Sequence, residues 1–318
     1  MISRGSEKPG VGRSTRPLRR SNRRARCSAT LIFTLGAVLL GSACQTDLRG
    51  REQVPSQAQH PQPPVPHVGV LADPCSENPG TWQGNPDAWR MYDWSQRCHY
   101  WHENAQLPPA TTARVVFIGD SITEAWREAD PQLFTNDTLN RGISGQTSEQ
   151  MLVRFRSDVI DLNPSVVHIM AGTNDVAGNT GPTSLAVFQG NIRSMVEEAL
   201  LHHIRVVLAS VPPSARIPWR AEIGQPADTI ASMNRWLREY AQCRHLVFVD
   251  YAAVLDDGRG GMKPALSTDG VHPTHAGYAA MGPVARSAIA RAMSEPLPSV
   301  PPPSAECSSA MTGSVSGR

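Results

Sequence analysis

The chain has 318 residues, 40% hydrophobic and 18% charged, enough for one α/β domain of about 200 residues with extensions; a fibrous or fully disordered protein is excluded. Formal net charge is +2, but residues 1–28 hold nine Lys and Arg against one acid, while the other 290 hold 21 against 27 and are net −6. No basic run with interleaved aromatics follows Arg26, which argues against nucleic-acid recognition by the body of the chain.

The basic stretch leads into an apolar run, Ala29 to Leu40, and then Gly41, Ser42 and Ala43. Twelve apolar residues are too few for the roughly 20 of a membrane-spanning helix, so residues 1–43 read as an export signal. A small residue followed by Cys44 resembles a bacterial lipoprotein box, although Gly41 stands where Leu is usual. Two outcomes stay open for this bacterial export: release into the periplasm or medium, or envelope anchoring through a lipidated Cys44. Residues 44–74, rich in Gln and Pro, read as an extended tether.

Residues 75–110 form a Trp-rich extension; four of the seven Trp lie between Trp82 and Trp101. Met91, Trp94, Cys98 and Trp101 recur at helical spacing and predict a helix over Asp87 to Gln106. It would pack on the edge of the main domain or, alternatively, offer an aromatic platform to sugar or lipid. Cys27 leaves with the signal, and lipidation of Cys44 would leave four cysteines, Cys75, Cys98, Cys243 and Cys307. Export permits disulfides, and of three possible pairings Cys75 with Cys98 and Cys243 with Cys307 is preferred. There is no CxxC pair to support a cysteine zinc site.

After Pro109, β-branched runs alternate with amphipathic stretches. The runs are Arg114 to Ile118, a weaker strand ending near Asn140, Val166 to Met170, Val206 to Val211 and Leu246 to Val249. Helical stripes lie between them: Leu152, Phe155, Val159 and Leu162; Leu185, Phe188, Ile192, Met195 and Ala199; Ile230, Met233, Leu237 and Tyr240. This alternation predicts a parallel sheet covered on both faces, over residues 111–293, followed by a Ser/Pro tail at 294–318. Ligands bind such sheets beyond the carboxyl ends of the strands.

Chemistry-bearing residues cluster there. Ser121 in GDSIT follows the first strand at a helix start, where backbone N–H groups favour a developing anion. NRGISG (Asn140 to Gly145) follows the second strand, with Gly142 permitting close backbone approach. GTND after the third strand supplies Asn174, and DGVHP supplies Asp269 and His272, spaced so that a carboxylate can reach one imidazole nitrogen while the other faces a nucleophile.

In order and spacing these four blocks resemble those of the SGNH (GDSL-type) hydrolases, over about Arg114 to Met293, and GDSITEAW and DGVHPTHAGYAAM are closest to secreted esterase and lysophospholipase-like members. The resemblance implies a three-layer α/β/α sandwich on a five-stranded parallel sheet of flavodoxin-like order 2-1-3-4-5. It implies serine ester hydrolysis through an acyl-enzyme, with Ser121 as nucleophile, His272 as base and Asp269 as orienting acid. The backbone N–H groups of Ser121 and Gly142 and the amide of Asn174 would form the oxyanion hole. No metal or organic cofactor is implied; the partner is a small-molecule, lipid or glycan ester. Trp126, Arg141 and Trp219 are the candidate pocket residues. A carbohydrate O-acetyl esterase and a non-catalytic, envelope-tethered binding module are the alternatives.

Overall fold

In the computed structural model the described residues are 74–75, 93–110 and 112–298. The export signal, the tether, Cys44, Cys307 and the tail beyond 298 lie outside them. Five strands, β1 (Val115–Gly119), β2 (Thr138–Gly142), β3 (Val166–Met170), β4 (Arg205–Ala209) and β5 (Val247–Val249), pair in the order β2-β1-β3-β4-β5. All pairs are parallel, with Gly119 level with Gly142 on one side and Met170 on the other. The expected strand order is therefore observed.

β1 and β3 are buried along their whole length because both faces of the sheet are covered. Val116 and Ile118 belong to one apolar core, with side chains from α3 (Ser148–Asp158), α5 (Leu185–Leu201) and α6 (Pro226–Cys243). Val115 and Phe117 turn to the opposite core, built with α2 (Ser121–Ala129) and α8 (His275–Ser294). The remaining helices are short: α1 (Trp101–Ala105), α4 (Thr173–Ala177) and α7 (Ala252–Leu255). No helix among the described residues is long and apolar enough to cross a membrane.

Three local readings change. β2 runs on to Gly142, so Asn140 to Gly142 are strand residues and not a loop after it. The stripe from Leu152 to Leu162 is not one helix: α3 stops at Asp158 and a 3-10 turn, Ile160–Leu162, completes the apolar face before Asn163 in left-handed backbone at φ 47°. The helix expected over Asp87 to Gln106 is reduced, in its described part, to α1. Before it the Asp93 carboxylate takes the N–H groups of Arg97 and Cys98, each at 2.9 Å, and Gln96 sits at φ 54°, so these residues form turns.

This extension is fastened to the sheet domain. Cys75 and Cys98 are joined by the expected disulfide. Cys243 is disulfide-bonded, and Cys307 lies outside the described residues. Gln146 donates to Ser95 O at 2.8 Å, Gln150 donates to Trp94 O at 2.7 Å, and Tyr100 Oη donates to Gly142 O.

Candidate active site

β1 ends at Gly119, and the chain turns at once into α2, putting Ser121 on the first helical turn. A Cβ on Gly119 would lie 2.0 Å from Thr123 Oγ1, so the turn closes only around glycine. Asp120 caps α2 by accepting the Ile122 N–H at 2.9 Å.

Asp269 and His272 come from the loop between α7 and α8. Asp269 Oδ1 accepts the N–H groups of Val271 and His272, each at 2.8 Å, which fixes the carboxylate on its own loop. Its Oδ2 stands 2.7 Å from His272 Nδ1, and His272 Nε2 stands 3.0 Å from Ser121 Oγ. An ionised carboxylate only accepts, so Nδ1 carries the imidazole proton and Nε2 is left to accept from the Ser121 hydroxyl. Partial burial pushes Asp269 up, but hydrogen bonds from the His272 ring and from the His272 and Val271 N–H groups outweigh it and hold the carboxyl at about 2.

Asn174 lies buried in α4, behind Gly172 at φ 133°. Its Nδ2 donates to Asp120 Oδ2 at 3.2 Å and to Gln146 O at 3.1 Å, while Oδ1 accepts from Asn179 Nδ2 at 2.7 Å. Burial pushes the Asp120 carboxyl up to about 6, against the opposing pull of the Ile122 N–H and His272.

Gly142 is the first correction. Its N–H is already donated to Asn140 Oδ1 at 2.9 Å, and its Cα packs against α2 so closely that a Cβ would fall 2.2 Å from Glu124 N. Gly142 is a close-packing glycine. Gly145, three residues on at φ 78°, has room for a Cβ, which would meet only Asn179 Nδ2 at 3.8 Å, and its N–H has no acceptor among the described residues. The block holds both glycines, and the Asn140 amide oxygen together with the packing of α2 consumes the first.

Trp126 is the second correction. It is fully buried in the α2/α8 core, with ring centroids of Phe117, Tyr251 and Tyr278 at 5.9, 5.7 and 5.6 Å, and is not a pocket residue. Arg141 is the third. It shares a face of β2 with Leu139 and is fully buried under the extension, donating to Asn104 Oδ1 and Glu103 Oε1, each at 2.9 Å, and lying 4.6 Å over the Tyr100 ring. Trp219 is where a pocket residue should be. Its ring is 42% exposed, 6.0 Å from the His272 ring, and its Nε1 donates to Asn179 Oδ1 at 3.1 Å. It lines a cavity of about 570 Å³ together with Gly145, Ser144, Asn179 and Trp94.

Residues 117–280 match the family model of the GDSL-like lipases/acylhydrolases. The chain is 43% identical to a GDSL-like lipase from Bacteroides thetaiotaomicron of known crystal structure, covering 63% of this chain and 99% of that one with a TM-score of 0.61. It is 26% identical over 201 residues to an acetylxylan esterase from Geobacillus stearothermophilus, 52% of this chain and 88% of that protein. An uncharacterized lipoprotein of Bacillus subtilis, YqeF, is 40% identical over 80 residues, so this chain spans 33% of that relative's length and 24% of its own. With the sheet order 2-1-3-4-5 and these matches, the chain belongs to the GDSL-like lipase/acylhydrolase family and is a carboxylic-ester hydrolase of the SGNH type.

Proposed function

We propose that the protein is an exported serine esterase that works through an acyl-enzyme on Ser121. The observation carrying this reading is the continuous chain Asp269 Oδ2, His272 Nδ1, His272 Nε2, Ser121 Oγ, with steps of 2.7 and 3.0 Å across the imidazole. His272 Nε2 takes the Ser121 proton as Oγ attacks the ester carbonyl. The tetrahedral oxyanion is held by the N–H groups of Ser121 and Gly145 and by Asn174 Nδ2, which gives up one of its two long hydrogen bonds to do so. Collapse breaks the bond to the alcohol oxygen, which leaves with the proton from His272. Water, deprotonated in turn by His272, then cleaves the acyl-Ser121 ester and releases the acid. Asp269 stays ionised throughout and stabilises the imidazolium.

Export rests on residues 1–43, and the YqeF relative supports anchoring through Cys44. The test is hydrolysis of p-nitrophenyl acetate. Ser121→Ala and His272→Ala each lose about 10⁴-fold or more in kcat with unchanged melting temperature. Retained turnover in a folded Ser121→Ala protein overturns the assignment.

A further inference from the structure

Among the described residues two tryptophans are exposed, Trp94 at 37% and Trp219 at 42%; both line the same cavity of about 570 Å³, and the Trp219 ring lies 6.0 Å from that of His272. They arrive from opposite ends of the chain's architecture. Trp219 comes from the segment after β4, whereas Trp94 belongs to the extension that precedes β1. Large exposed indoles are costly on a solvated surface, and two on one concavity mark a binding face.

The rest of the lining specifies what kind. Among the described residues it is polar: Ser144, Asn179, Thr180 and Arg220 stand with two glutamines and Gly145, and no aliphatic side chain contributes. A long acyl chain would find no hydrocarbon wall here. A pyranose ring finds both things it needs, flat aromatic faces for its C–H surfaces and amide, hydroxyl and guanidinium groups for its hydroxyls.

The wall is also pre-organised. Gln150 holds Trp94 O at 2.7 Å, Gln146 holds Ser95 O at 2.8 Å, Asp93 caps the following turn, and the Cys75–Cys98 disulfide closes it two residues past Gln96. On the other side Trp219 is held by Asn179, which also bonds Asn174 Oδ1 and Gly145 O, so the cavity wall and the candidate oxyanion residues share one side chain.

Resting on the serine-esterase reading, we propose that this cavity is the alcohol-side subsite and takes a neutral sugar ring, making short-acyl esters of carbohydrates the substrate class. Trp94, from the extension before β1, is then a specificity-determining residue. The cavity holds the sugar while the small acyl group sits at Ser121.

The full chain and its Trp94→Ala and Trp219→Ala variants are assayed on methyl β-xyloside triacetate, p-nitrophenyl acetate and lysophosphatidylcholine. Trp94→Ala raises KM for the acetylated glycoside about tenfold, keeps kcat, and leaves p-nitrophenyl acetate kinetics unchanged; Trp219→Ala raises the same KM and, because Trp219 holds Asn179 beside Asn174 and Gly145, also lowers kcat on both acetates. In Trp94→Ala, unchanged KM for the glycoside or equal losses on both acetates overturns the proposal, as does wild-type preference for lysophosphatidylcholine. Binding is read separately by indole fluorescence, titrating unacetylated methyl β-xyloside into Ser121→Ala protein. Saturable quenching whose midpoint rises about tenfold in the Ser121→Ala, Trp94→Ala double variant supports the subsite even if the nucleophile were another residue; no saturable change, or a midpoint that does not move, overturns it while leaving the esterase reading standing.

Discussion

The side-chain carbonyl of Asn140 accepts the N–H of Gly142 at 2.9 Å, within the last turn of β2 before the cleft. That bond removes Gly142 from the set of free donors and leaves Gly145 as the glycine able to meet an oxyanion. The two glycines therefore fail differently when given a methyl group. In Gly142→Ala the new Cβ meets backbone at 2.2 Å, and the expected outcome is a large fall in melting temperature. In Gly145→Ala there is space, but φ 78° costs about 1–2 kcal/mol, relieved by turning the N–H. The expected outcome is a melting temperature within a few degrees of wild type and kcat lower by about tenfold or more, toward the roughly 10²-fold cost of one lost donor. Thermal melts beside p-nitrophenyl acetate kinetics separate the two.

Asp120 is the hinge between the helix cap and the oxyanion side. Asp120→Asn can keep the Ile122 cap, but then sets an amide N–H₂ against the Nδ2 of Asn174, donor facing donor. Asn174 must rotate or retreat, and kcat is expected to fall about 10- to 100-fold with little change in KM. A wild-type kcat would show that the Asn174 amide is not oriented through Asp120.

Acid stability separates the two carboxylates. Asp269, held at about 2 against an ordinary 3.8, contributes stability that is present above about pH 4 and is lost as pH falls toward 2. Asp120, raised to about 6, has the opposite sign: the folded state binds its proton more tightly, so its contribution is present below about pH 4 and is lost as pH rises to 6. Urea midpoints between pH 4 and 6 should therefore fall with rising pH less in Asp120→Asn than in wild type. Identical slopes in the two proteins would contradict the burial of an ionising Asp120.

Much of this architecture was legible because it depends on short-range patterns. Val115 to Ile118 is a continuous apolar run and Val166 to Met170 is one broken only by His168, and a run buried on both faces has few alternatives in a chain of alternating helices. Asp269 and His272 were legible because a three-residue loop spacing brings their atoms together locally, and Ser121 because it follows a strand at a helix start; the fold then carries Ser121 to His272 across the sequence. What could not be read depends on long-range packing. Trp126 looked available one turn after Ser121, yet the same helix turns it down onto Tyr251 and Tyr278 from distant segments. Arg141 looked like a cleft cation, but β2 alternation places it under α1, against Glu103 and Asn104. Trp94 was read as one step of a helical stripe, and Asp93, by taking two backbone N–H groups, made turns there instead.

The disulfide between Cys75 and Cys98, 23 residues apart, closes the extension and by chain entropy stabilises by about 3 kcal/mol. Cys98→Ser should lower the melting temperature by at most about 6–12 °C. It should also raise KM for an acetylated glycoside more than for p-nitrophenyl acetate, because the turn carrying Trp94 loses its anchor. Trp126→Ala, by contrast, should cost about 3–5 kcal/mol of stability and leave the KM ratio of the two esters unchanged.

The central claim is that Ser121 is an activated nucleophile, and covalent capture tests it most directly. Incubating the folded protein with a fluorophosphonate and mapping the adduct by peptide mass spectrometry should give one label per chain, on Ser121, lost in His272→Ala. No adduct, or an adduct on another residue with Ser121 unmodified, would contradict it.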